Sequence, residues 1–162
     1  MSDFYKTASP SGPMLCRMTV QAVPDGFHTL TPYLTVKDAA AQLDFLVRAF
    51  DATVSHKSLR ADGSIGHAQL VVGDSPVMVG QASDEWKALP CTIYMYVPDA
   101  DETFRRAIAA GATSVREPRT EFYGDRAGGV QDSQGNYWWM ATHVEDVSNE
   151  EMERRAAEQG RG

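Results

Sequence analysis

Cysteine is scarce, with Cys16 and Cys91 the only two in 162 residues. One lies near the N-terminus and the other at a predicted strand start, which argues against a disulfide framework and for a reducing cytoplasm. No apolar run approaches the roughly 20 residues needed to span a bilayer. The N-terminal stretch MSDFYKTASPSGPMLCRM also lacks an apolar segment of secretory length. Basic charge is thin too: 15 Lys and Arg stand against 22 Asp and Glu, a net charge of −7, with no basic cluster. Nucleic acid is therefore excluded as a principal partner, and the acidic surface serves solubility.

What is present is an ordinary globular composition, 43% hydrophobic and 23% charged. Residues 1–26 are rich in Ser, Pro and Gly without periodicity and read as a loose leader that carries no chemistry. The body begins with HTLTPYLTV, where Leu30, Pro32, Leu34 and Val36 alternate with Thr31, Tyr33 and Thr35 as in a half-buried strand. Asp38 then caps the stretch AAAQLDFLVRAF, in which Ala39, Leu43, Leu46, Val47 and Phe50 recur at helical spacing. Three strand-like runs follow, ATVSHKSL, IGHAQLVVG and PVMVGQ, separated by ADGS and GDS turns.

The same order then recurs. CTIYMYVPD reads as a strand and DADETFRRAIAAG as a helix, acidic at its start and closed by Gly111. ATSVREP is strand-like, FYGDRAG a loop region, GGVQDSQGN a strand and turn, and YWWMATHV a strand. A shift of 61 positions places Thr31 on Thr92, Tyr33 on Tyr94, Val36 on Val97, Asp38 on Asp99 and Ala39 on Ala100. With one further residue of adjustment, GDSPVMV lies over GNYWWMA, which puts Val77 on Trp139. Such a duplication decides the architecture. The chain is an α+β protein of two tandem βαβββ modules, residues 27–85 and 86–147, followed by a helix and tail over 148–162 opened by the Ser148–Glu151 capping box. A lone module covers only one face of its sheet, so the two are expected to form a curled sheet around a small-molecule cavity.

The segments TPYLTVKDAAAQLDFLVRAF, DGSIGHAQLVVGDSPVMV, YMYVPDADETFRRAIAAGA and FYGDRAGGVQDSQGNYWWMATHVEDVS resemble the vicinal oxygen chelate superfamily of glyoxalases, bleomycin resistance proteins and extradiol dioxygenases. Within it they look most like the PhnB-like branch, and the resemblance covers residues 28 to about 155. It implies metal ligands on the first and last strands of each module, at Thr31, Thr92, Val77 and Trp139. None of those four side chains is a useful ligand for a divalent transition metal, so the expectation is a metal-free cavity with no cofactor. His67, His143 and Glu145 are the donors from which a rebuilt site would have to be made. The superfamily commonly pairs chains, and exposed sheet edges need covering, so a homodimer is also expected.

Each candidate residue carries a functional and a bland reading. His67 is the candidate general base, or a hydrogen-bonded strand histidine. Gln69 shares its face and either orients a ligand or is simply an exposed strand residue. Tyr33, Tyr94, Tyr96 and Trp139 fall opposite the helix-packing residues and either wall a ligand pocket or fill the inner sheet. In the FYGDR loop, Tyr123, Asp125 and Arg126 lie at the expected cavity mouth, where Arg126 either clamps an anion or fixes the loop through Asp125 or the backbone. Two functions follow: a protein binding a small aromatic or amphipathic molecule, or a lyase, isomerase or dioxygenase-type enzyme using His67 or a rebuilt metal site.

Overall fold

A computed structural model describes residues 20–158 and 160. The leader up to residue 19, including Cys16, lies outside them. Two four-stranded mixed sheets form, each with a helix on one face. In the first module β1 (Tyr33–Val36) is followed by α1 (Ala39–Phe50), β2 (Thr53–Leu59), β3 (Ile65–Val72) and β4 (Ser75–Gln81). The second repeats this with β5 (Thr92–Tyr96), α2 (Ala100–Ala109), β6 (Thr113–Thr120), β7 (Asp125–Gln131) and β8 (Tyr137–His143), and α3 (Asn149–Glu158) follows it. The strand orders β1-β4-β3-β2 and β5-β8-β7-β6 are the same in both, with one parallel pair each, β1 with β4 and β5 with β8.

The helix boundaries have local causes. Asp38, in an extended conformation, accepts the Ala41 N–H at 2.9 Å, and Asp99 accepts that of Glu102 at 2.9 Å. These are side-chain caps on otherwise unpaired amides. Asp51 ends α1 in the left-handed region at φ 59°, and beyond α2 the chain turns at Gly111, φ 101°. Ser148 accepts the Glu151 N–H at 3.2 Å, as the capping box predicts.

Three sequence expectations change. The first strand begins at Tyr33 and not at His28, and Leu30 is 86% exposed. Pro32 brings no N–H to the ladder, and the segment before it crosses the face carrying Gln69 and Met78. Asp125, Arg126 and Ala127, read as loop, are the first residues of β7. The repeat also keeps its shift of 61 through the last strand: Tyr33 pairs with Met78 and Tyr94 with Trp139. Met78, and not Val77, is therefore the counterpart of Trp139. The glycines Gly73 and Gly135 misled the alignment because the β7–β8 turn is longer than the tight β3–β4 turn.

The core lies between the sheets, and α1 supplies more of it than any other single element. Leu43, Leu46 and Phe50 are buried as expected, but so are Gln42 and Phe45, whereas Val47 is 40% exposed. Helix α1 packs on its own sheet and on α2, and Phe45 and Phe50 also meet Trp138 of β8 at ring-centroid distances of 6.3 and 5.0 Å. A helix covered on two sides buries two stripes, which a single amphipathic pattern understates. Both helices thus form one layer shared by the modules. The opposite face of each sheet turns away from that layer, so the two sheets stay curled but do not close around one cavity.

Candidate functional site

Strand alternation puts different residues on the two faces of each sheet. On the first, Leu34, Val36, Ala68, Leu70, Val77 and Val79 face the helices and are buried. Tyr33, His67, Gln69 and Met78 lie on the open face, which the segment before β1 crosses at Gln69 and Met78, with His56 beside Gln69 and Ser58 beside His67. Tyr33 lies across Gly80, where any Cβ would collide with its ring, and stacks on His67 at 5.7 Å. Its hydroxyl is 3.4 Å from Nδ1 of His67.

The open face of the second sheet is more aromatic. Tyr94 and Tyr96 of β5 lie beside Trp139 and Ala141 of β8, which also carries Tyr137 and His143 on that face. Trp139 lies flat over Gly129, whose Cβ, if present, would come within 2.8 Å of the ring. The guanidinium of Arg116 sits 4.7 Å from the Trp139 ring centroid, a cation–π contact. Arg116 also bonds Glu121 at 2.8 Å, as Arg119 does at 3.0 Å.

At one end of this face is Asp125, 3% exposed. Its Oδ2 accepts the hydroxyls of Tyr96 at 3.0 Å and Tyr94 at 3.3 Å, and its Oδ1 accepts Nδ1 of His143 at 2.8 Å. The buried Ala127 and Ala141 beside them leave room for the tyrosines to reach Asp125. The second nitrogen of His143 meets Asp146 at 3.0 Å. Burial, then Tyr123 and Asp125, push the Tyr94 phenol above its ordinary range, and the hydrogen bond to Asp125 raises that of Tyr96. Asp146 and then Asp125 raise His143, which favours its protonated form. The strand alternation Tyr137, Trp139, Ala141, His143 announces this face, but nothing in the sequence announces Asp125 as the shared acceptor or Arg116 as the partner of Trp139.

Arg126 is on the other face. Its guanidinium meets Asp101 of α2 in a two-pronged ion pair, with Nη2 to Oδ1 at 2.6 Å. The candidates thus divide into Tyr33, His67 and Gln69 on the first open face, Tyr94, Tyr96 and Trp139 on the second, Tyr123 beside Tyr94, and Arg126 under α2. Between the modules, on the helix side, lies a mainly apolar cleft of about 710 Å³ bordered by Phe50, Ile93, Met95, Trp138, Tyr94 and Tyr96.

The positions that the family pattern gives to metal ligands do not suit one here. Thr31 precedes β1 and donates to the His28 carbonyl at 3.1 Å; the others are Met78, Thr92 and Trp139. Among the described residues no three His, Cys, Asp or Glu side chains come together as a metal-binding group. Both nitrogens of His143 are already engaged by carboxylates.

The chain is 37% identical over 144 residues to an uncharacterized protein of Mycobacterium bovis, an alignment covering 82% of this chain and 95% of that one. An uncharacterized protein of Mycobacterium tuberculosis matches at the same identity, with 82% and 85% covered. Among solved structures, TioX from Micromonospora sp. ML1 superposes with a TM-score of 0.63 at 29% identity, covering 71% of this chain and 98% of that one. A superfamily member from Sphaerobacter thermophilus attests the fold at 19% identity and a TM-score of 0.58, covering 71% and 96%. Residues 26–140 match the family model directly, and the chain belongs to the Glyoxalase/Bleomycin resistance protein/Dioxygenase superfamily.

Proposed function

We propose that this protein binds a small aromatic or amphipathic molecule on the open face of its second sheet, without a resident metal, as a PhnB-like member of its superfamily. The observation that carries this reading is the aromatic surface itself. Tyr94, Tyr96, Tyr137 and Trp139 share one face; Tyr96 is 68% and Tyr94 46% exposed, and Trp139, flat on Gly129 with Arg116 over its ring, is the fixed support beside them. Rigid aromatic walls with a few fixed polar groups suit stacking on a flat ligand. Tyr123 contributes through its effect on Tyr94, and Arg126, engaged by Asp101, has no direct part.

A homodimer completes this reading. In one chain Tyr33, His67 and Gln69 are on a face turned away from Tyr94 and Trp139, so a second copy is what would bring the two sets around one ligand. A second reading, an isomerase or lyase with His67 as general base, is favoured by the place of that imidazole on an open face beside the Tyr33 hydroxyl.

The test is direct. Protein purified without added metal is assayed for bound metals, sedimented to read its oligomeric state, and titrated calorimetrically with a panel of flat aromatic compounds. The expected result is a metal-free dimer that binds members of the panel, with binding weakened at least tenfold by Trp139→Leu. Stoichiometric metal lost with His67→Ala, or ligand binding indifferent to Trp139, would overturn it.

A further inference from the structure

An aspartate, a histidine and two tyrosines in contact suggest a proton-transfer site, but their hydrogen bonds run the wrong way for that. Both tyrosine hydroxyls donate to the same oxygen of Asp125. Tyr94 also shares a hydrogen bond with Tyr123, so Tyr96 is the phenol whose proton is committed and whose oxygen leaves an acceptor lone pair for a ligand. His143 lies between Asp125 and Asp146, one carboxylate at each nitrogen, so as an imidazolium it offers no free acceptor and no basic nitrogen.

The charge near this end has the same sense. Asp125 and Asp146 outnumber the one positive charge of His143, which is spent between them. Glu145 is engaged by Arg155 at 2.8 Å, while Arg116 and Arg119 of β6, the far edge strand from β5, are engaged by Glu121 just beyond it. The exposed Tyr96 oxygen is thus an acceptor backed by a buried carboxylate, next to an aromatic floor.

We propose that this end of the second open face selects ligands carrying a hydrogen-bond-donating cationic head, an amidinium, guanidinium or ammonium, on a flat apolar body. The inference rests on the binding reading above and names the ligand class for that same face. The flat body stacks on the aromatic side chains; the head donates to the oxygen of Tyr96 and is attracted by Asp125 behind it. A carboxylate head would find neither a free donor nor a favourable charge there.

The experiment compares three near-isosteric probes by calorimetry on the full chain: 2-naphthamidine, 2-naphthamide and 2-naphthoate. The amidine is expected to bind at least tenfold more tightly than the carboxylate, with the neutral amide between them. In Asp125→Asn the new side-chain amide donates toward the tyrosine oxygens and the buried charge is gone, so the order should collapse or invert. Tyr96→Phe, at an exposed position, removes one acceptor without touching the core and should reduce the amidine's advantage at least threefold. Equal binding of all three probes, still weakened by Trp139→Leu, would overturn this inference and leave the binding reading standing. Tighter binding of the naphthoate would do the same. Binding of none of them would count against the aromatic-face reading itself, and this inference would fall with it.

Discussion

Replacing Asp132 by alanine should destabilise the fold by about 3–5 kcal/mol, because this carboxylate joins the two modules. It is 6% exposed and accepts five hydrogen bonds. Its Oδ1 takes the backbone N–H groups of Gln134 and Asn136, each at 2.9 Å. Its Oδ2 takes Gln42 Nε2 at 3.0 Å, Asn136 Nδ2 at 3.0 Å and Trp138 Nε1 at 2.8 Å. Gln42 belongs to α1 of the first module, and the other partners to the second. Alanine leaves donors on Gln42 and Trp138, both about 1% exposed, with no acceptor, at roughly 1–3 kcal/mol for each orphaned group. Removing a buried charge offsets part of that loss. Gln42→Leu keeps the volume and deletes only the contacts from α1, so it should cost less, about 1–2 kcal/mol. Urea unfolding followed by circular dichroism measures both. A loss below about 1 kcal/mol for Asp132→Ala would show that the modules do not depend on this network and would refute the reasoning.

Gly124→Ala should cost at least about 3 kcal/mol, since its φ is 96° and a Cβ there would run into the Glu145 carbonyl oxygen; near-parental thermal stability would refute it. Arg126→Ala, which breaks a pair whose side chains are 37% and 43% exposed, should change stability by less than about 1 kcal/mol, read by the same unfolding curves. His143 carries a raised pKa, so its contribution is fully present below the unfolded value of about 6.5 and is lost as the pH rises through the folded one. The melting temperature of the parent should therefore exceed that of His143→Gln most clearly near pH 6 and least near pH 9. A gap that does not change with pH would refute the assignment, and an NMR titration of the imidazole checks it independently.

How much of this was legible in the sequence depended on range. The Asp38 and Asp99 caps, the strand alternation and the duplication are local or periodic signals, and they placed the helices and most strands. The first strand failed because Leu30 and Pro32 continue the apolar alternation although they meet no partner strand that would bury them. Val47 shares the helical apolar spacing yet is exposed, and Gln42 is buried, because α1 buries a second stripe against Trp138, and that neighbour is about ninety residues away. Turn length misled for a related reason: matching Gly73 to Gly135 is sound as turn chemistry, but the parallel β1–β4 and β5–β8 registers decide which side chain faces out. Of the candidate site, the aromatic positions were readable from alternation. The hydrogen-bond direction at Asp125 was not, since it depends on two tyrosines reaching past Ala141 from a non-neighbouring strand.

The two halves solve one packing problem in the same way and then diverge. In each, an aromatic side chain lies down on its sheet because a glycine supplies the space, Tyr33 over Gly80 and Trp139 over Gly129. In each, the ring then reaches a nitrogen-bearing side chain, His67 in the first half and Arg116 in the second. A ring pinned in this way has little rotamer freedom left to lose when a ligand stacks on it, which lowers the entropic cost of binding. The second half adds Tyr94 and Tyr96, both anchored by their hydroxyls to Asp125, so that three aromatic side chains on that face are fixed before any ligand arrives. The first half instead keeps His67 and Gln69, polar groups suited to hydrogen-bonding and not to stacking. Because the shared helix layer turns these unlike faces away from each other, pairing them requires a second chain. Each such pairing would set a preorganised aromatic floor opposite a polar ceiling, an asymmetry that suits an amphipathic ligand better than a uniformly apolar one.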